Sequence, residues 1–323
     1  MHAFRGHAYG PPESLRWEEV HDRPLGDGEA RVLVKASAVN FPDVLYVAGT
    51  YQVKPVPPFV PGFEIAGDVI ESRSAAMPVG ARVASTLDGS GGYATHAIAP
   101  ELTTYVIPDA MPYDEAAAIT VTYQTAHFAL HRRARIAKGE VLLVHAGAGG
   151  VGSAAIQLGK AAGATVIATA GGPEKVAACL ALGADVAVDY SRDDFVAVVK
   201  AKTGGRGADV VFDPVGGDVF DRSTKCIAWE GRIVVIGFTS GRFPDARANH
   251  LLVKNYSVIG LHWGMYNFHD PALVRATQAD IYRLWGEGHV KPLISARMPL
   301  AEAPAAMARV ASRASTGKIV LIP

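Results

Sequence analysis

The stretch Val141-Leu142-Leu143-Val144-His145-Ala146-Gly147-Ala148-Gly149-Gly150-Val151-Gly152-Ser153-Ala154-Ala155-Ile156 decides how this chain folds. Four apolar residues in a row read as a buried strand, and the small residues from Ser153 onward open a helix. The glycines therefore fall where a strand hands over to a helix. In that context the spacing Gly147-x-Gly149-x-x-Gly152 has a physical reading. Gly147 permits the tight turn, Gly149 lets the backbone approach a pyrophosphate, and Gly152 lets helix and strand pack closely. Together with Gly150 and Val151 they would seat a diphosphate on the helix amino end, where free N–H groups and a partial positive charge favour an anion. A turn without a ligand could have the same composition, but here strand, turn and helix arrive in the order a dinucleotide requires.

Working outward, apolar runs at 141–146, 165–169, 185–188, 209–213, 232–237 and 257–262 alternate with helical stretches at 152–162, 173–182 and 193–202. Pro173 suits the first position of its helix. Six such strands make a doubly wound parallel sheet, the dinucleotide-binding form of an α/β fold. Before residue 111 the texture differs: short β-branched runs at 31–39, 63–71, 81–85 and 92–98 are broken by Gly, Pro and Asp. That pattern predicts a compact, mostly β domain. The tail from 271 reads as helical, including the alanine-rich 301–314, and ends in a strand at 318–322 that is expected to return to the first domain.

The totals exclude several classes. At 323 residues, 49% hydrophobic with 34 glycines, the chain can bury two cores and is too apolar to be disordered. Lys plus Arg equals Asp plus Glu at 31 each, so no basic field exists to hold nucleic acid. Residues 1–10 lack the apolar region of a signal peptide, and no run is long enough to span a bilayer. Only Cys179 and Cys226 are present, which provides no disulfide framework and suits a reducing cytoplasm. A hydrolase would need a G-x-S-x-G elbow, and Ser90 has Asp88 two residues before it.

The end of the second strand selects the cofactor. NAD enzymes place an acid there against the ribose 2′-hydroxyl, whereas this chain reads Ala168-Thr169-Ala170-Gly171-Gly172. No carboxylate repels a 2′-phosphate at Gly171, Lys175 can supply positive charge, and Tyr190 can add a hydroxyl donor. Either of the last two alone could equally be a solvated or packing residue. With the missing acid they point to NADPH over NADH, with Glu174 weakening the local field and Arg192 a further candidate.

These motifs resemble the quinone oxidoreductase (zeta-crystallin-like) branch of the medium-chain dehydrogenase/reductase superfamily. The resemblance runs over nearly the whole chain. It is carried by Asn40-Phe41-Pro42-Asp43 through Gly49-Thr50-Tyr51, Val60-Pro61-Gly62-Phe63-Glu64, the glycine turn, Asp213-Pro214-Val215-Gly216-Gly217 and Gly317-Lys318-Ile319-Val320-Leu321. It implies a GroES-like catalytic domain of residues 1–121 with 264–323, a Rossmann domain of 122–263 inserted in it, an active site in the cleft, and a homodimer. By resemblance and chemistry together, Asn40, Asp43, Tyr51 and Thr125 surround the nicotinamide and the acceptor. Phe238 and Thr239 border the carboxamide, and Lys318 contacts the cofactor. Tyr51 is the candidate hydroxyl donor, or else a ring that closes the loop after Gly49. Asp43 is either a site residue or a local turn acceptor. Some members carry a tyrosine two positions after the aspartate, where this chain has Leu45, which puts a two-tyrosine mechanism in doubt.

Zinc-dependent relatives carry a cysteine ligand where this chain has Asn40, and Gly-His-Glu where it has Gly62-Phe63-Glu64. Two distant cysteines cannot form a structural zinc site, and His127 and His131 lack a third ligand nearby. No metal is therefore expected. Without a Lewis acid, alcohols are poor substrates. Quinones and enones are better, because conjugation spreads the charge that arrives with a hydride and hydrogen-bond donors can stabilise the oxyanion. The expected activity is NADPH-dependent quinone reduction. The alternatives are reduction of α,β-unsaturated ketones or enoyl-CoA thioesters, or NADPH binding without catalysis.

Overall fold

The computed structural model of the chain describes residues 1–87 and 91–323; Asp88 and Ser90 lie outside the described residues. The described chain divides into two compact units, one of residues 1–121, 270–282 and 291–323, the other of 122–269 and 283–290.

The second unit is built on a six-stranded parallel sheet. Its strands lie in the order Val186–Asp189, Thr165–Ala170, Val141–Val144, Ala208–Asp213, Ile227–Val235, Ser257–Gly260. In sequence order this is 3-2-1-4-5-6, the doubly wound arrangement that binds ligands outside the carboxyl ends of the strands where the order reverses. Val141–Val144 is the strand at that reversal, and all four residues are buried. The helix Gly150–Ala161 covers one face, with Ala154, Ala155, Ile156 and Leu158 at 0% exposure. A Cβ on Gly159 would stand 2.5 Å from Leu142 Cδ2, so helix and strand lie at contact distance.

The boundaries differ modestly from the sequence reading. The first helix starts at Gly150 because Gly149 is its N-cap. The helix Phe195–Lys202 starts after Asp194, whose side chain accepts from the Val196 N–H. The fifth strand begins at Ile227, and Glu230 in it adopts φ 57°. Its register against Ala208–Asp213 shifts between Ala208 and Val210, so the pairing skips the extra residues.

The first unit holds a seven-stranded sheet around the long strand Glu29–Val39. That strand pairs antiparallel with Glu64–Ser72, His96–Pro100 and, through Ile319 opposite Val39, the final strand Lys318–Ile322. The final strand thus joins the first unit, together with residues 270–282 and 291–323, whereas residues 283–290 belong to the second. One core gathers Val39, Tyr46, Phe59, Tyr93, Met307, Ile319 and Leu321, and a second gathers Val32, Val34, Ile65, Val69 and Met77. The short helix Phe41–Val47 packs on the first of these. Both cysteines are free and buried. No helix among the described residues is long and apolar enough to cross a membrane.

Candidate active site

In the second unit the glycine turn has the geometry its spacing implied. A Cβ on Gly147 would meet Ala168 Cβ and Cys179 Sγ, each at 2.9 Å, and one on Gly152 would lie 2.2 Å from the Ala146 oxygen. Both positions are closed to any side chain. Gly149 differs: only the Ala146 oxygen, at 3.2 Å, lies within contact distance of its Cβ position. Its open side adjoins the amino end of Gly150–Ala161, which no side chain caps. Three consecutive helical residues, Gly150, Val151 and Gly152, thus begin a helix whose first N–H groups remain for a ligand. The neighbouring His145 is spoken for: its ring nitrogens face Thr169 Oγ1 at 3.0 Å and Ser223 Oγ at 2.8 Å, and burial pushes its pKa down to about 3. It is a neutral strut between two strands and a helix.

At the end of Thr165–Ala170 the chain turns through Gly171 and Gly172, the latter at φ 85°. The Tyr190 hydroxyl lies over Gly171, 2.7 Å from where its Cβ would be, and Tyr190 is 56% exposed. Lys175 is half-buried in the first turn of Pro173–Ala181. Sequence reasoning missed Asp189. Its Oδ1 accepts from the Gly172 N–H at 3.0 Å, the Ser191 N–H at 3.0 Å and the Ser191 hydroxyl at 2.6 Å. These bonds, the hydroxyl's first, hold its carboxyl below the usual range. The acid thus braces the glycine turn from the neighbouring strand. The loops after Ala208–Asp213 and Ile227–Val235 are zipped by Thr239 N–H to Pro214 O at 3.1 Å and Ser240 N–H to Val215 O at 3.0 Å. Phe238 stands beside Thr239 with its ring edge-on to Phe243, centroids 4.7 Å apart. Thr125 is 6% exposed within the helix Tyr113–His127.

The first unit brings Asn40, Asp43, Tyr51 and Lys318 into one neighbourhood, with Glu64 at its centre. Asp43 is fully buried; its oxygens accept from the backbone N–H of Asn40 at 2.7 Å and of Phe63 at 3.1 Å. Burial pushes its pKa up to about 7 against the lowering effects of the Asn40 N–H bond and the Lys318 charge. Lys318, expected at the cofactor, is 3% exposed and donates to Val39 O at 2.9 Å, Asn40 Oδ1 at 2.5 Å and Glu64 Oε1 at 2.8 Å. An ammonium has three N–H bonds, so none is left for a cofactor. The Asn40 amide nitrogen donates to Glu64 Oε1 at 2.9 Å and Ala38 O at 3.2 Å, and Glu64 Oε2 accepts from the Val121 N–H at 2.9 Å. Tyr51 differs from these. It is half-buried, its ring edge-on to Phe63 with centroids 5.5 Å apart, and its hydroxyl makes no hydrogen bond to the described residues. Burial first, and the Asp43 charge second, raise its pKa, so it holds its proton at neutral pH.

The comparisons with known proteins agree with this geometry. The alcohol dehydrogenase GroES-like domain family matches residues 26–109, and the zinc-binding dehydrogenase family matches residues 150–277. A quinone oxidoreductase-like protein 2 homolog of Nematostella vectensis is 38% identical over 300 residues, covering 92% of this chain and 82% of that protein. A quinone oxidoreductase of Pseudomonas aeruginosa is 33% identical over 320 residues, 98% of each chain. The crystal structure of Escherichia coli quinone oxidoreductase complexed with NADPH superposes with a TM-score of 0.93 at 30% identity, covering 100% of both chains.

One family description raises a metal, and the residues present do not fit one. Phe63 offers no donor atom, the Asn40 amide and both Glu64 oxygens are bonded already, and the Lys318 ammonium 2.8 Å from Glu64 would repel a divalent cation. Among the described residues no group of three His, Cys, Asp or Glu is placed to hold a metal ion. With the relatives' identity extending over more than nine-tenths of its length, the chain belongs to the zinc-independent quinone oxidoreductase branch of the medium-chain dehydrogenase/reductase superfamily.

Proposed function

We propose that this protein is an NADPH-dependent quinone reductase in which Tyr51 donates the hydrogen bond that stabilises the reduced oxygen. The observation that carries the assignment of Tyr51 is its hydroxyl: protonated, half-buried and without a hydrogen-bond partner among the described residues, while Asn40, Asp43 and Lys318 have their polar atoms engaged within the protein. NADPH, when bound, supplies the hydride. The second unit holds its diphosphate at Gly147, Gly149, Gly150, Val151 and Gly152 and its 2′-phosphate at Gly171, Lys175 and Tyr190. Thr125, Phe238 and Thr239 border the nicotinamide end. The first unit serves the acceptor. Asn40 and Asp43 act there by shaping the turn that carries Tyr51, whose N–H bonds to Leu45 O at 3.1 Å.

The acceptor is conjugated, because conjugation spreads the charge that arrives with the hydride, and the resulting anion needs far less stabilisation than an alkoxide, so that a single neutral donor suffices. Stopped-flow NADPH oxidation with 1,4-benzoquinone, an enone and crotonyl-CoA tests the reading. Quinone is expected to be reduced fastest, and Tyr51→Phe to lose about 10- to 100-fold in kcat/KM, the range for one oxyanion donor at its modest end. Preference for the thioester would move the protein to the enoyl-CoA alternative, and an undiminished Tyr51→Phe would remove Tyr51 from the mechanism. In solution the unit is expected to dimerise along the edge strand Ser257–Gly260, flanked by Leu252 at 78%, Val253 at 74% and Phe268 at 62% exposure. The two buried free thiols suit a cytoplasmic setting.

A further inference from the structure

The cluster around Lys318 asks for an explanation that stability alone does not supply. Lys318 and Glu64 form an ion pair at 2.8 Å with side chains 4% and 0% exposed. Removing both charges from water costs much of what their attraction returns, and buried pairs of this kind are often replaceable by apolar residues without loss of stability. What such a pair does provide is one defined arrangement, since any other leaves a charge buried and unpaired. Here the arrangement is fully satisfied. The ammonium ties the end of Glu29–Val39, through Val39 O and Asn40 Oδ1, to the start of Glu64–Ser72. Glu64 returns the tie to Asn40 Nδ2 and extends it to the Val121 N–H.

Asn40 is also the N-cap of Phe41–Val47, the helix that leads directly to Tyr51. Its own N–H is held by Asp43, and Asp43 in turn holds the Phe63 N–H, whose ring packs against Tyr51. A continuous set of bonds thus runs from the Lys318 ammonium to both walls that fix the Tyr51 ring: its own helix and loop on one side, Phe63 on the other. The pair is neutral as a whole and has no donor left over, so it contributes no net charge and no direct contact to an acceptor oxygen.

We propose that Lys318, with Glu64, is a positioning residue for the reaction: the ammonium locks the Asn40 turn and thereby sets where the Tyr51 hydroxyl points. This rests on the reading of Tyr51 as the donor. It assigns the last strand a part in catalysis through position, where metal-dependent members of the superfamily use coordination.

The test uses NADPH-loaded full-length protein with 1,4-benzoquinone as the acceptor. Lys318→Met leaves a bare carboxylate in the core and is expected to fold poorly, so the working variant is Lys318→Met/Glu64→Gln, which removes both charges together. It should bind NADPH within about twofold of the unsubstituted chain, because the glycine turn is untouched, while kcat/KM for the quinone falls about 10- to 100-fold. The primary isotope effect on kcat with C4-deuterated NADPH should rise, as misplacement makes hydride transfer limiting. Combined with Tyr51→Phe, the cluster variant should cost little more than Tyr51→Phe alone, since the two act as one unit. A cluster variant with unchanged kcat/KM and isotope effect would overturn the proposal, as would losses that simply multiply with those of Tyr51→Phe. If Tyr51→Phe itself has no effect, the donor reading has failed instead, and the two failures are told apart by that single variant.

Discussion

Two glycines in one turn, substituted identically, should fail in different ways. In Gly152→Ala the new methyl would sit 2.2 Å from the Ala146 oxygen, 2.8 Å from the Ala146 carbonyl carbon and 2.9 Å from Gly147 Cα. All three are backbone, so no side chain can rotate aside and the helix must move off the strand. Overpacking of this kind costs about 1–3 kcal/mol, and at about 2–4 °C per kcal/mol for a domain of this size Tm should drop by several degrees. In Gly149→Ala the methyl meets only one atom, at 3.2 Å, and φ −84°, ψ 176° is extended backbone open to any residue. Its Tm should therefore stay within a degree or so of the parent. Its affinity should not. The methyl occupies the side from which a diphosphate must approach, and the same 1–3 kcal/mol, now charged against the ligand, corresponds to about 5- to 150-fold in Kd. Differential scanning fluorimetry reads the first quantity and fluorescence titration with NADPH the second. A Gly149→Ala protein that bound NADPH as tightly as its parent would refute the placement of the diphosphate, whatever its stability.

Other consequences can be checked as directly. Lys175→Ala should weaken NADPH about tenfold and leave NADH unchanged, the loss of one charge-assisted bond to phosphate; equal losses for both cofactors would place the 2′-phosphate elsewhere. Exhaustive dialysis against a chelator should leave quinone reduction intact, and a loss reversed by zinc would contradict the donor set around Phe63. His145 makes stability depend on acid. It is neutral when folded, with its pKa lowered from 6.5 to about 3 by burial, whereas the unfolded chain takes up a proton below 6.5. Its contribution is thus complete above that pH and declines as pH falls toward 3. Tm of His145→Gln should accordingly drop less between pH 6.5 and 5 than that of the parent, and parallel curves would show that the imidazole is protonated inside the fold.

How far the chain could be read in advance depended on how far apart the interacting groups lie along it. The glycine turn was legible because strand, turn and helix are consecutive, so the close packing at Gly147 and Gly152 is announced within a dozen residues. The parallel sheet was legible for the same reason, strand by strand, and its errors sit where a neighbour overrules local pattern, as at Glu230, where a left-handed residue lets the fifth strand begin early. Asp189 was not legible. An acid after a β-branched run reads as the start of a turn, and its work on Gly172, seventeen positions away, exists only once the two strands lie side by side. Lys318 shows the limit most clearly. Its partners Val39, Asn40 and Glu64 precede it by 279, 278 and 254 positions. The resemblance set Lys318 against the cofactor; folded, it is turned inward, its three N–H bonds given to Val39 O, Asn40 Oδ1 and Glu64 Oε1. The residues around it do lie in one neighbourhood. What the sequence could not reveal is that Asn40, Asp43 and Lys318 are engaged within the protein, whereas the Tyr51 hydroxyl beside them makes no hydrogen bond to the described residues.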